Sequence, residues 1–142
     1  MSFVENRKVR KVPKDVKKEI ASIVKDFVKS INLSEGDEIE VKSIRKIVDS
    51  NYFEYYVDVY DVKMDMDFVK ATIVISTQVI CYGYGDNERC YNDYLKVEFK
   101  ANLEVRKLKI KVETNVKRPW HLLSTLRYAI EILKNIVKTI ST

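Results

Sequence analysis

The sequence predicts an α+β fold: an antiparallel curved β-sheet of about five or six strands, with an N-terminal helix and a long C-terminal helix packed on one face. Three observations carry this expectation. Apolar residues recur every three to four positions between Pro13 and Ile31, every second position over most of residues 38–112, and again at helical spacing after Pro119. With 142 residues, 46% of them apolar, the chain is expected to form one domain, residues 1–142, whose core needs neither disulfides nor a structural metal.

Residues 2–12 alternate weakly and run into Pro13, which suits a first helical position because its missing N–H would have no partner there. A short strand feeding a helix is expected. Val16, Ile20, Ile23, Phe27 and Ile31 then form an apolar stripe with Lys14, Lys17, Lys18, Lys25 and Lys29 between them, and Asn32 and Gly36 mark the exit. The period changes to two at Ile39 and Val41, and continues through Phe53, Tyr55, Val57 and Val59, giving two strands joined near Asp49-Ser50-Asn51. A third strand carries Val69, Ala71, Ile73, Ile75, Thr77, Val79 and Cys81 on one face. A fourth carries Leu95, Val97, Phe99, Ala101, Leu103 and Val105. The apolar phase then slips by one, to Leu108, Ile110 and Val112, so a bulge or tight turn is expected near Arg106-Lys107. After Pro119 the stripe Leu122, Leu126, Ala129 or Ile130, Leu133, Ile136 or Val137 and Ile140 predicts a helix of about 22 residues, roughly 33 Å long.

The run Arg10-Lys11-Val12-Pro13-Lys14-Asp15-Val16, where a strand ends at a proline and a helix begins, is followed by an antiparallel meander and a long C-terminal helix. In this order of elements the chain resembles the START-like helix-grip superfamily. The resemblance implies a binding protein that encloses an apolar ligand between a curved sheet and the C-terminal helix. It assigns no individual functional residue.

The net charge of +5 lies wholly in the first 18 residues, where seven bases face two acids, and the remaining chain is neutral. Residues 35–67 hold ten acids and four bases, whereas residues 96–118 hold eight bases and three acids. Attraction for a polyanion is therefore expected on Arg7, Lys8, Arg10, Lys11, Lys14, Lys17 and Lys18, joined by Arg106, Lys107, Lys109 and Lys111. A solvated charged face of a heat-stable protein accounts for the same pattern. One glutamine against abundant Lys, Glu, Ile and Val suggests a heat-adapted archaeal or viral source, although eight asparagines weaken that signal. Neither a run of 18 apolar residues nor a secretory signal occurs, so no membrane span is expected and the location is expected to be cytoplasmic.

Cys81 and Cys90 flank a segment whose glycines and Asp-Asn pair read as a hairpin loop, so they either form a disulfide across it or remain two free thiols. With a single distant histidine they do not supply four zinc ligands, and no metal or cofactor is expected. Asp58, Asp61 and Lys63 have the composition of a nuclease metal site, but alternation puts Asp58 on the opposite face from the other two unless a bulge intervenes. His121 beside Trp120 reads as a neutral, packed imidazole. Tyr52, Tyr56 and Tyr60 form one strand face, interleaved with Glu54 and Asp58, whose carboxylates count against base stacking. Phosphate-binding and catalytic motifs are absent from the sequence, so no enzyme reading has positive support.

The leading functional expectation is a non-enzymatic protein binding an apolar or aromatic small molecule, with Phe53, Tyr55, Val57, Ile73, Phe99, Leu122, Leu126 and Tyr128 as the wall. The alternative is a nucleic-acid or acidic-partner binder acting through the basic segments. A third is a homodimeric interaction or regulatory protein paired through the tyrosine face.

Overall fold

The computed structural model describes residues 9–31, 33, 36–49, 54–117 and 119–141. Arg7, Lys8, Tyr52 and Phe53 lie outside the described residues. The order is helix α1 (Lys14–Ser30), strands β1 (Ile39–Asp49), β2 (Glu54–Met64), β3 (Phe68–Thr77), β4 (Ile80–Tyr82), β5 (Arg89–Tyr91), β6 (Tyr94–Asn102) and β7 (Lys107–Thr114), then helix α2 (Leu123–Ser141). Five strands form one antiparallel sheet in the order β1-β2-β3-β6-β7, and β4 with β5 forms a separate hairpin inserted between β3 and β6. The fold is α+β, as the periodicities predict.

Both helices cover the same sheet face, because the buried side chains of every strand point to it, with β2 shifting phase once at a bulge to stay there. Val57, Val59, Val62 and Met64 of β2, Val69, Ala71, Ile73 and Ile75 of β3, and Leu95, Val97, Phe99 and Ala101 of β6 meet the helices there. From α1 come Val16, Ile20, Ile23, Val24 and Phe27, and from the C-terminal segment Leu122, Leu126, Ala129, Ile130 and Leu133. Each such aliphatic side chain, fully buried, stabilises the fold by roughly 1.5–3 kcal/mol. The Phe27 ring meets Phe99 edge-on at 6.0 Å between centroids. An ion pair between Arg127 and Glu19 ties the helices together at the surface. Among the described residues no helix is long and apolar enough to cross a membrane.

Pro13 stands one residue ahead of its expected place: its ψ of 147° is extended, α1 begins at Lys14, and the Pro13 carbonyl accepts the Lys17 N–H at 3.0 Å. The weak N-terminal strand reduces, among the described residues, to one antiparallel bridge in which the Arg10 N–H donates to the Thr114 carbonyl at 2.9 Å. The long third strand also divides, since β3 stops at Thr77 and β4 restarts at Ile80. The phase slip near Arg106-Lys107 is a tight turn between β6 and β7, with Arg106 in the left-handed region at φ 55°. Pro119 opens a 3-10 turn, Pro119–Leu122, that leads into α2.

Candidate functional site

The sheet face opposite the helices carries no layer of its own among the described residues. Along β3 its residues are Phe68, Lys70, Thr72, Val74 and Ser76, and along β6 they are Tyr94, Lys96, Glu98, Lys100 and Asn102. Cross-strand register arranges these into rows. In one row Lys63 pairs with Lys70, Lys70 with Lys100, and Lys100 with Lys109, so four adjacent strands place lysines directly opposite one another. Across three inter-strand gaps the row is about 14 Å long. Glu40 on β1 stands at its far end, opposite Lys63.

Two local devices build this row. Strict alternation from Val57 and Val59 would send Lys63 to the helix-covered side. The register between β2 and β3 instead slips by one residue between Tyr60 and Lys63, where Asp61 adopts φ 54°. That bulge moves Val62 and Met64 into the core and turns Lys63 out. At the same end of the sheet, two side chains close the turns. Asp65 Oδ1 accepts the N–H groups of Asp67 at 2.7 Å and Phe68 at 3.0 Å. Asn102 Oδ1 accepts those of Glu104 at 3.0 Å and Val105 at 3.2 Å. The Leu103 N–H then donates to the Asp67 carbonyl at 2.9 Å, joining the two turns and holding Phe68 opposite Asn102.

Acids elsewhere on this face are matched by neighbours. Asp58 accepts the Arg45 Nε–H at 2.7 Å, and this bond raises the guanidinium pKa. Glu98 lies 3.1 Å from Lys96, whose ammonium is pushed above its ordinary value by that hydrogen bond. Glu54 accepts the Tyr56 hydroxyl at 3.1 Å. Burial, with Glu113 adding to it, raises the Tyr94 phenol. Among the described residues, Lys63, Lys70, Lys100 and Lys109 form no ion pair. The Lys63 and Lys100 ammonium groups instead lie 5.9 and 5.1 Å from the centre of the Phe68 ring.

The basic residues named from the sequence divide between two sides of the molecule. Lys107, Lys109 and Lys111 lie exposed on the open face of β7, with Arg106 in the turn before them. Arg10 and Lys11 pass the Thr114 end of that edge strand, and Lys14, Lys17 and Lys18 lie exposed on α1, in the helix layer behind the sheet. Sequence reasoning did not count Lys63, Lys70 and Lys100 among the anion-binding cations, and named Lys63 only beside Asp58 and Asp61. Their polar phase was legible for β3 and β6, but the register and the bulge that align them were not.

Of the expected ligand wall, Val57, Ile73, Leu122 and Leu126 have no accessible surface and Phe99 is 3% accessible, so these side chains fill the core against one another. Tyr55 is half-buried at its edge. Tyr128 is 43% exposed and lines a cleft of about 370 Å³ with Ile44, Lys46 and Ile132 between α2 and β1. A cleft of about 580 Å³ lies instead at the C-terminal end of α1, where Val28, Ile31, Leu33, Met66, Leu103 and Leu108 meet Lys25, Lys29, Arg106 and Lys107.

The remaining candidates also resolve. Cys81 and Cys90 face each other across the β4-β5 hairpin and form a disulfide, with their Cα atoms 4.0 Å apart. Glu88 lies close enough to complete a three-atom metal group, but both sulfurs are bonded to each other. Gly83 closes the hairpin at φ 96°, where a Cβ would run into the Asn87 carbonyl. His121 is exposed, not packed, because it sits in the 3-10 turn with Nε2 3.4 Å from the Asp93 carboxylate. The bulge at Asp61 turns Lys63 to the same face as Asp58, where Asp58 is paired with Arg45 and Lys63 lies over the Phe68 ring. Comparison with protein-family models, curated proteins and solved structures finds no match.

Proposed function

We propose that this chain is a non-enzymatic binding protein that holds nucleic acid on the open face of its sheet. Lys63, Lys70, Lys100 and Lys109 contact phosphates, and Arg106, Lys107 and Lys111 extend the surface along the edge. The carrying observation is the placement of four lysines directly opposite one another. Like charges at facing cross-strand positions oppose folding, each pair by a few tenths to about 1 kcal/mol, and a polyanion removes that opposition. Arg10, Lys11, Lys14, Lys17 and Lys18 supply a second set of cations that a longer strand reaches around the β7 edge.

The test is the salt dependence of binding to a fluorescein-labelled 20-nucleotide strand, followed by anisotropy. Four phosphate contacts predict a slope of log K against log salt near −3, at about 0.7 per contact for single strands. A salt-independent affinity, or no binding at 50 mM salt, rejects the proposal.

The α1 cleft supports a second reading, an apolar ligand carrying an anionic group. Its volume suits a small molecule, its floor is aliphatic and its rim basic. The resemblance to helix-grip proteins points to the same class, although here the larger cleft lies at the end of α1 and the one between α2 and β1 is smaller. Emission from dansyl-undecanoate is expected to rise on binding, with Leu103→Asp weakening it at least tenfold; no enhancement with the unaltered protein rejects this reading.

A further inference from the structure

We infer that the nucleic acid taken by the open face is single-stranded, with bases stacked on Phe68 and Tyr60 to either side of the lysine row. This inference rests on the proposed function and deepens it. Phe68 lies two residues before Lys70 on β3, and Tyr60 on β2 pairs with Thr72, two residues beyond Lys70. An aromatic ring therefore stands on each side of the cations, the two about 13 Å apart along the strands at roughly 3.3 Å per residue. Both are half-buried, held at the base by the sheet while part of the ring remains open. Aromatic rings interleaved with cations are what single-strand binding requires, since every base offers a π-face for stacking and every nucleotide a phosphate for pairing.

The Phe68 ring already attracts Lys63 and Lys100 to the region where a base would stack. An arriving strand offers both groups a stronger partner: the ammoniums move to phosphates and the base takes the ring. Of the two carboxylates that count against stacking, Asp58 is paired with Arg45 and Glu54 accepts the Tyr56 hydroxyl, while Glu98 on the same face is paired with Lys96.

A duplex fits poorly. Its bases are stacked on each other and hide their faces, and a five-stranded sheet about 19 Å across does not enter a major groove about 12 Å wide. A duplex would meet this surface through phosphates alone and leave both rings unused. The Asn102 side-chain oxygen is committed to the turn and Thr72 is nearly buried, so neither offers an acceptor to base edges, whereas stacking and phosphate contacts are the same for every base. Recognition is therefore tolerant of sequence.

The experiment compares a 20-nucleotide mixed-sequence strand with the same strand in duplex form, at equal salt, using wild type, Phe68→Leu and Phe68→Trp. Expected results are single-strand binding at least tenfold tighter than duplex, a loss of about 5- to 100-fold for Phe68→Leu on the single strand only, and retained affinity for Phe68→Trp. Quenching of 2-aminopurine within a strand bound to wild-type protein reads stacking without any substitution. Equal affinity for both forms, an unchanged Phe68→Leu variant, or unquenched 2-aminopurine overturns the inference while leaving phosphate binding intact. Absence of binding by either form overturns the underlying proposal instead.

Discussion

Replacing Lys70 by glutamate is expected to weaken single-strand binding by about 10- to 100-fold at 0.1 M salt while leaving the protein at least as stable as before. Lys70 is the inner member of the row, directly opposite both Lys63 and Lys100. A glutamate there removes one phosphate contact and engages the two lysines beside it. Each phosphate contact contributes about 0.7 in log K between 1 M and 0.1 M salt, so losing one weakens binding about 5-fold and losing two or three about 25- to 130-fold, which brackets the range. The same change converts two like-charge pairs into two opposite-charge pairs. At an exposed position this stabilises by up to about 1 kcal/mol, or roughly 3 °C in melting temperature for a chain this long. Opposite signs for binding and stability are the signature of a surface maintained against folding. Melting curves and anisotropy on one preparation measure both, and a fall in stability with unchanged binding would show the row to be structural.

Truncating Phe27 to alanine is expected to have the opposite profile. The side chain is fully buried and meets Phe99 edge-on, so it joins α1 to the sheet. Removal costs about 3–5 kcal/mol from lost transfer energy and the cavity left behind, lowering the melting temperature by roughly 10–15 °C. The open face lies across the sheet from this contact. Nucleic-acid affinity measured well below the melting transition is therefore expected to stay within about twofold of wild type, by the rule that separated, non-contacting sites act independently. A large affinity loss in a folded Phe27→Ala protein would locate the binding surface on the helix side, among Lys14, Lys17 and Lys18.

These two sites differ in how far the sequence announces them. Phe27 belongs to a repeat of three to four residues, and Phe99 to a repeat of two, so both are legible as core from local spacing alone. Lys100 is legible as outward-facing by the same argument. That it stands opposite Lys70 depends on β6 pairing with β3 across the intervening β4-β5 hairpin, a contact between segments distant in the chain. Lys63 is misread by alternation, because the Asp61 bulge reverses the phase of everything after it on β2. The disulfide sits between these cases: the hairpin is visible in its glycines, but only register puts Cys81 opposite Cys90. Tyr128 lies between these cases too: the sequence sets it between sheet and C-terminal helix, and it lines a cleft between α2 and β1, but only the tertiary structure separates that cleft from the filled core.

The amino-acid sequence by itself determined the two helices and the five strands of the main sheet, their order, and which side of nearly every one is buried, because those follow from repeats of 3.6 and two residues within a few turns of chain. It also placed the net charge in the first 18 residues. Only the tertiary structure decided where cations converge, because facing positions on neighbouring strands are set by pairing register, by one bulge and by two linked turns. A one-residue slip in any of these would scatter the row, since the side-chain period of a strand is two.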